Sequence, residues 1–444
     1  MAELQRTVYQ QLEAWKASPS RKPLVVLGAR QVGKTFALKR FAAERFENLA
    51  YIDFSKDESA ASLFDGSIAP VDLIPRLELY LRTPIDAKRT LIVFDETQLC
   101  ERAITALKYF CEDAPAYHVV AAGSLLGVRI RQGMSAFPVG KVDFLHMHPL
   151  NFEEYLWAVG EQQLADAIQA SYDDGSSAFP LHERALQLLR DYELVGGMPE
   201  VVATYADHGA AGFEAFEQAR AKQEAINVGY AADVVKYAAT ADAPRIIAAL
   251  KSVPRQLAKE NHKFQYKVIR TGARANQYET AVEWLDAAGV ALKCTKVTEG
   301  VAPLKAFEDE GSFRLYYADT GLLAEQFDAT PQDIGPAEDK GAAFRGALAE
   351  NLVYQQICAA GASAYYWGTT SRAEVEFVVR TRAGDIVPIE VKSGKNVTSK
   401  SLNAYLRAYG PAYAVRVSAR NFGKEGGVRS VPLYAAWCLA KELL

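Results

Sequence analysis

The amino-acid sequence predicts an α/β protein, with a parallel sheet wrapped in helices near its start and a second α/β region near its end. Three observations predict it. From residue 24 to residue 150, short apolar runs alternate with segments whose apolar residues recur at helical spacing. A glycine-rich loop, Gly28-Ala-Arg-Gln-Val-Gly-Lys-Thr35, separates one such run from the next helical segment. Beyond about residue 340 the alternation resumes, after a long and mostly helical stretch.

Taken in order, residues 1–23 read as an amphipathic helix followed by a Ser-Pro-Ser-Arg-Lys-Pro linker. Candidate strands are Leu24–Leu27, Leu49–Asp53, Leu91–Phe94, His118–Ala122 and Val142–Met147. These place an α/β core in residues 1–150. Residues 151–240 form a helical lid region, interrupted by Asp173-Asp174-Gly175-Ser176-Ser177, with Gly196-Gly197-Met198-Pro199 as a turn between helices. Residues 241–312 give helices over Ile246–Leu257 and Asn276–Ala288, a strand over Ala291–Thr298 and a turn at Glu299-Gly300. Helix, helix, hairpin is the outline of a winged helix. The last domain, 313–444, has a helix Phe344–Ala359, strands Ala364–Trp367, Val375–Val379 and Ile386–Val391, a helix Ser401–Tyr409 and a strand Ala412–Val417.

Composition limits what such a chain can be. Half of its 444 residues are hydrophobic and 23% are charged, which suits globular cores. The net charge of −4 advertises no polyanionic partner, so any basic surface must be local. Five scattered cysteines without a C-x-x-C argue against a disulfide framework or a zinc site and fit a reducing cytoplasm. No apolar run approaches the roughly 20 residues of a membrane span, and Met-Ala-Glu-Leu-Gln-Arg lacks the apolar core of a signal peptide.

The loop at 28–35 matches G-x-x-x-x-G-K-[ST]. Gly28 and Gly33 let the backbone curl close to phosphate, and the loop N–H groups face the anion together with the helix N-terminus. Lys34 is expected on the β/γ-phosphates of ATP and Thr35 on Mg²⁺, while Arg30, Gln31, Val32 and Phe36 complete the binding stretch. Leu91-Ile92-Val93-Phe94-Asp95-Glu96 is an apolar strand ending in two acids, with Gln98 just beyond. Asp95 is expected to hold the Mg²⁺ and its water shell, and Glu96 to polarise the attacking water.

Two further constellations stand out. Lys251, Arg255, Lys259, Lys263, Lys267, Arg270 and Arg274 face one acid, Glu260, beside the winged-helix candidate. They read equally as phosphate contacts or as a solvated helical face, and a winged helix can also dock a protein. Near the C-terminus, Glu390-Val391-Lys392 ends one strand and Glu376 lies on the strand before it. Side-chain alternation puts Glu390 and Lys392 on one face. Glu376 and Glu390, with Glu350 on the preceding helix, could hold Mg²⁺ or Mn²⁺, and Lys392 could orient a water. This is the PD-(D/E)XK nuclease arrangement, with a glutamate, Glu376, where an aspartate is usual. Lys392, Lys395, Lys400, Arg407, Arg416, Arg420, Lys424 and Arg429 then run on with Glu425 as the single acid among them, a pattern suited to a nucleic-acid backbone.

Together these motifs resemble those of bacterial and archaeal ATPases of the AAA+ superfamily whose C-terminal region contains a nuclease-like fold. The resemblance runs through Gly28–Thr35, Phe94-Asp95-Glu96-Thr97-Gln98, Gly123-Ser124, His148-Pro149-Leu150-Asn151-Phe152-Glu153-Glu154-Tyr155, Gly196–Pro199, Tyr317–Leu322, Arg345-Gly346 with Glu350-Asn351, and Glu390-x-Lys392. It implies that Ser124 senses the γ-phosphate or the water. Where such proteins often carry Gly-Arg before the last strand of the sheet, this chain has Gly140-Lys141; Arg129 and Arg131 are alternative sources of an arginine finger.

The function expected is ATP hydrolysis coupled to engagement of nucleic acid, DNA of branched or single-stranded form in the first place. A metal-dependent nuclease and a homo-oligomer are part of the same expectation. The rival is a nucleotide-controlled switch or scaffold that binds a protein partner through an inactive nuclease-like domain. A kinase-like phosphotransferase fits the helical region and winged helix poorly.

Overall fold

The computed structural model describes residues 4–133, 137–175, 178–259, 262–334, 341–369, 373–395 and 400–444. Met1, Ala2, Glu3, Ser176, Ser177 and Glu260, which entered the sequence reading, lie outside them. The chain forms two compact units. One comprises Arg6–His148 with Ala287–Gly289, and the other draws mainly on Pro149–Asp286 and Val290–Leu444.

In the first unit, strands β1 (Leu24–Leu27), β2 (Asn48–Asp53), β3 (Thr90–Asp95), β4 (His118–Ala122) and β5 (Asp143–His146) form an all-parallel sheet in the order β2-β3-β4-β1-β5. Every residue of β3 and β4 is buried, so both strands read as unbroken apolar runs rather than alternating ones. Their side chains pack with Leu73, Leu77, Ile104, Leu107 and Phe110 from the helices Pro70–Leu81 and Glu101–Asp113. The chain leaves β1 for the helix Lys34–Arg45 and returns as β2 at the far edge. The C-terminal ends of β1, β3 and β4 are therefore neighbours, the usual place for a ligand in an open parallel sheet.

The second unit begins with five helices, from Phe152–Ala158 to Gly212–Tyr237. Gly196-Gly197 lies in the turn between the helices His182–Val195 and Pro199–Asp207. Gly196 has φ +73°, and a Cβ there would sit 2.2 Å from Asp319 Oδ1. Asp319 in turn accepts from Gly197 N and Leu322 N, which ties two of the sequence motifs into one buried clasp.

Among the described residues of the rest of the unit, eight strands form one mixed sheet: β6 (Ala291–Val297), β7 (Glu308–Tyr317), β8 (Ala364–Gly368), β9 (Glu374–Arg380), β10 (Ile386–Val391), β11 (Ala414–Ser418), β12 (Gly423–Glu425) and β13 (Val428–Pro432). Its order is β12-β13-β11-β10-β9-β8-β6-β7. Helices Ala243–Leu257, Tyr266–Ile269 and Ala275–Ala287 precede the β6–β7 hairpin, the order expected of a winged helix. Two details differ from expectation. The hairpin does not turn at Glu299-Gly300; a longer link containing the short turn Leu304–Phe307 joins the strands, closed by Thr298 N donating to Phe307 O. The strand β7 also runs across the expected division at residue 312, and β6 pairs in parallel with β8. The hairpin is thus part of the C-terminal sheet through the pairing of β6 with β8, while β7 packs against the helix Ala243–Leu257 before it as well as against Ala342–Ala360.

Candidate functional site

The strand-to-helix turn after β1 is built as the motif requires. Gly28 (φ +146°) and Gly33 (φ +91°) adopt backbone conformations that side chains resist. A Cβ on Gly28 would lie 2.2 Å from Met147 O. Val32 is fully buried beneath the loop, while Arg30 and Gln31 are exposed, as is Phe36 at 57%. Arg6 braces the loop from behind, donating to Val32 O and His148 O at 3.2 and 2.6 Å.

Lys34 is buried and curls over its own loop, with Nζ donating to Gly28 O and Ala29 O, each at 2.8 Å. Burial lowers its pKa to about 8, against the pull of Glu96 and Asp95. Thr35 Oγ1 donates to Asp95 Oδ2 at 2.6 Å, so the hydroxyl and the carboxylate expected on Mg²⁺ already touch. Tyr51, on β2, donates to the same Asp95 oxygen at 2.9 Å. The register that pairs Tyr51 with Val93 and Asp53 with Asp95 puts it there. Nothing in the sequence motif pointed to Tyr51 or Arg6; for Tyr51 the signal was the alternation of Tyr51 and Asp53 on one face of an edge strand.

Glu96 follows β3 in a left-handed conformation, φ +52°, uncommon for a residue with a side chain. Its Oε2 accepts from Gln98 Nε2 and, at 3.3 Å, from Ser124 Oγ at the end of β4. Among the described residues Oε1 takes no hydrogen bond. The arginine-finger candidates are spread over the surface. Lys141 pairs with Glu112 at 2.9 Å and Arg129 with Glu101 at 2.5 Å, both exposed.

The C-terminal constellation assembles only in part as expected. The register that pairs Ile389 with Phe377 brings Glu390 alongside Glu376. Lys392 Nζ lies 3.5 Å from each carboxylate. Glu350, however, is occupied. Its Oε2 accepts from Arg314 Nη1 and Tyr316 OH, each at 3.1 Å, and lies 2.8 Å from His262 Nδ1. Arg314, whose side chain is 3% exposed, also donates to Glu374 at 2.8 Å. Glu390 is held by Arg416 Nε at 2.9 Å from the neighbouring strand.

Electrostatics follow this pairing. Burial works against the Glu350 charge, but His262 and Arg314 overcome it and hold the carboxyl down to about 2. Burial pushes Glu376 up to about 7, aided by Glu350 and Glu390 and opposed by Lys392 and Arg314. Among the described residues no group of three or more His, Cys, Asp or Glu is placed to hold a metal ion. Of the expected set, Glu350 is paired with Arg314 and His262, Glu390 with Arg416 and Lys392, and Glu376 with Lys392.

Comparison with known proteins bears on the two units unequally. Residues 20–156 match an AAA domain family. Residues 186–333 match a domain of unknown function (DUF8612), and residues 345–436 another (DUF4143). Among solved structures, the chain is similar to the Walker-type ATPase PABY2304 of Pyrococcus abyssi, at 15% identity over 73% of this chain and 96% of that one, TM-score 0.44. It is also similar to the Aeropyrum pernix ORC1 protein in complex with DNA, at 12% identity, 73% and 93% coverage and TM-score 0.29. Drosophila ORC bound to DNA is similar at 15% identity, 72% and 84% coverage and TM-score 0.27. A search of curated proteins gave no match. The family match and the site geometry make the N-terminal unit an AAA-type ATPase domain.

Proposed function

We propose that the protein is a nucleotide-controlled switch that hydrolyses ATP and engages nucleic acid without cutting it. The observation that carries the ATPase half is the convergence of Thr35, Asp95, Glu96 and Ser124 on one end of the sheet. The donor set suits a magnesium nucleotide: loop amides and Lys34 for the phosphates, Thr35 and Asp95 for Mg²⁺. When bound, Mg²⁺ would neutralise charge on the phosphates. Lys34 holds a cation against them, and Asp95 is kept in line by Tyr51. Glu96 offers its unbonded oxygen as general base while Gln98 and Ser124 fix its other one. Ser124 can thereby report the state of the γ-phosphate to Glu96.

For the C-terminal domain the geometry favours binding over cleavage. The order helix, β8, β9, β10, helix, β11 supports a nuclease-like fold. The buried Arg314 and the half-buried Arg416 pair with acids of this cluster. Basic residues of the winged-helix segment and of the C-terminal run support nucleic acid as the partner. Five free cysteines suit a reducing compartment. In the described residues no helix is long and apolar enough to cross a membrane.

The test has two arms. Glu96→Gln should abolish ATP turnover while ATP still binds; normal turnover sinks the ATPase assignment. Wild type and Lys392→Ala are then incubated with Mg²⁺ or Mn²⁺ and single-stranded, duplex and branched DNA and RNA. Binding without cleavage is expected. Cleavage that disappears with Lys392 would replace this reading by that of a nuclease.

A further inference from the structure

A cavity of about 510 Å³ opens in the C-terminal unit, lined by Lys395, Arg416, Arg420, Lys424 and Glu425, with His182, Asn421, Phe422 and Ser430 among its other walls. Among the described residues that line it, four cations stand beside one carboxylate, in a chain whose net charge is −4. The neutral walls are already satisfied. His182 is bonded through Nδ1 to Tyr434 OH and through Nε2 to Ala419 O, and burial lowers its pKa, so it adds no charge. Asn421 spends Oδ1 on Phe179 N and Phe422 N, and Nδ2 on Phe179 O.

The two arginines are different. Arg416 is anchored by Nε on Glu390 at 2.9 Å, and Arg420 by Nε on Lys395 O at 2.7 Å. Among the described residues, the terminal nitrogens of both have no partner. Each guanidinium is thus fixed by its inner nitrogen, with its outer fork unspent beside the cavity. Such a fork matches a phosphate oxygen pair, and holding it in advance reduces the ordering cost of binding. Lys424 is exposed at the rim, and Lys395 pairs with Glu183 at 3.1 Å in an exposed bridge that a competing anion can open.

We infer that this cavity is a phosphate site for the backbone of a nucleic-acid strand. Its volume exceeds a lone phosphate and falls in the range of nucleotide-sized sites. Arg416 gives the site a second consequence: the residue that neutralises Glu390 is also a wall of the cavity, so strand binding and the charge state of the acidic cluster share one side chain.

The inference rests on the nucleic-acid reading above and can fail separately from it. The full chain, with its P-loop filled by excess Mg·ADP in every arm, is titrated against a fluorescent single-stranded oligonucleotide at several salt concentrations. Arg420→Gln with Lys424→Gln should weaken binding roughly tenfold and lower the salt slope by about 1.4, at about 0.7 for each phosphate that is no longer neutralised. Arg420→Lys, keeping the charge without the fork, should fall between. Both side chains are exposed, and an unchanged thermal midpoint confirms folding. Lys267→Gln with Arg270→Gln probes the other basic segment. If wild type binds and only that second pair matters, the cavity is not the site, though the nucleic-acid reading stands. If wild type binds no oligonucleotide at all, the nucleic-acid reading falls and the inference with it. Competition by inorganic phosphate that is abolished in the Arg420/Lys424 variant supports the cavity as the place where the strand's phosphate sits.

Discussion

Asp95 and Glu96 at the end of β3, and Glu350, Glu374, Glu376 and Glu390 around β9 and β10, are both groups of carboxylates beside a lysine. In the first, each acid is held mainly by neutral donors: Thr35 and Tyr51 on Asp95, Gln98 and Ser124 on Glu96. In the second, cations do the holding: Arg314 on Glu350 and Glu374, Arg416 and Lys392 on Glu390. Neutral donors orient a carboxylate and leave its charge available to an incoming cation. An arginine cancels that charge in advance. The same residue types therefore give carboxylates held mainly by neutral donors in one unit and carboxylates paired with protein cations in the other.

The contrast can be broken most forcefully at Arg314. Arg314→Met leaves Glu350 and Glu374 without their shared cation, one of them deeply buried. Breaking one side of a buried pair costs about 3–5 kcal/mol, which chemical denaturation will read. Adding Glu350→Gln should restore much of the loss, and Mn²⁺ should stabilise Arg314→Met more than wild type. Equal indifference of both proteins to Mn²⁺ would mean that Arg314 does not stand in for a metal.

At the other site, Lys34→Ala should reduce kcat/KM for ATP by roughly 10²–10³, the cost of losing one charge-stabilising donor. In wild type kcat/KM should also decline above about pH 8, where the free protein's Lys34 gives up its proton. A profile flat to pH 10 would show that the lysine is not desolvated.

Glu376 offers a smaller effect with a defined sign. Well below its ordinary pKa the carboxyl is protonated in both the folded and the unfolded chain. Between that value and about 7 the folded chain keeps a proton that the unfolded chain has lost, so stability falls as pH rises. Glu376→Gln should remove this slope, worth on the order of 3 kcal/mol at most, from the stability profile between pH 5 and 7. The Glu350 carboxyl works in the opposite direction, losing its contribution only as pH falls from its ordinary range toward about 2.

Smallest is Tyr51→Phe, which deletes one hydrogen bond to Asp95 and leaves the ring under Lys39. A loss of about 1 kcal/mol corresponds to roughly fivefold in kcat/KM at limiting Mg²⁺, with little change at saturating Mg²⁺. An equal drop at both concentrations would make Tyr51 a structural support rather than a positioning residue for Asp95.

Much of this molecule was legible in advance because its signals are local. The five strands of the first sheet lie within one or two residues of the apolar runs that announced them, and the loop at Gly28–Thr35 dictates its own backbone. Asp95 and Glu96 were expected from the apolar run that ends in them and Ser124 from the resemblance alone; the fold brings the three together because parallel strands deliver their ends to one edge. The β6–β7 hairpin was harder to place. Its sequence fits a wing, and only its pairing with β8 shows which sheet it joins.

The division between sequence and tertiary structure is sharpest at the acidic cluster. Spacing alone determined that Glu390 and Lys392 share a face and that Glu376 lies on a strand nearby, because side chains alternate along any strand. It could not determine what stands opposite them. Arg416 reaches Glu390 through the parallel register of β10 with β11, and Arg314 reaches Glu350 from β7, 36 residues away in the chain. Whether a carboxylate is a metal ligand or half of an ion pair depends on which charge the fold brings within about 4 Å, where Coulomb energies in a protein reach several kcal/mol. That choice belongs to long-range pairing, and no local pattern encodes it.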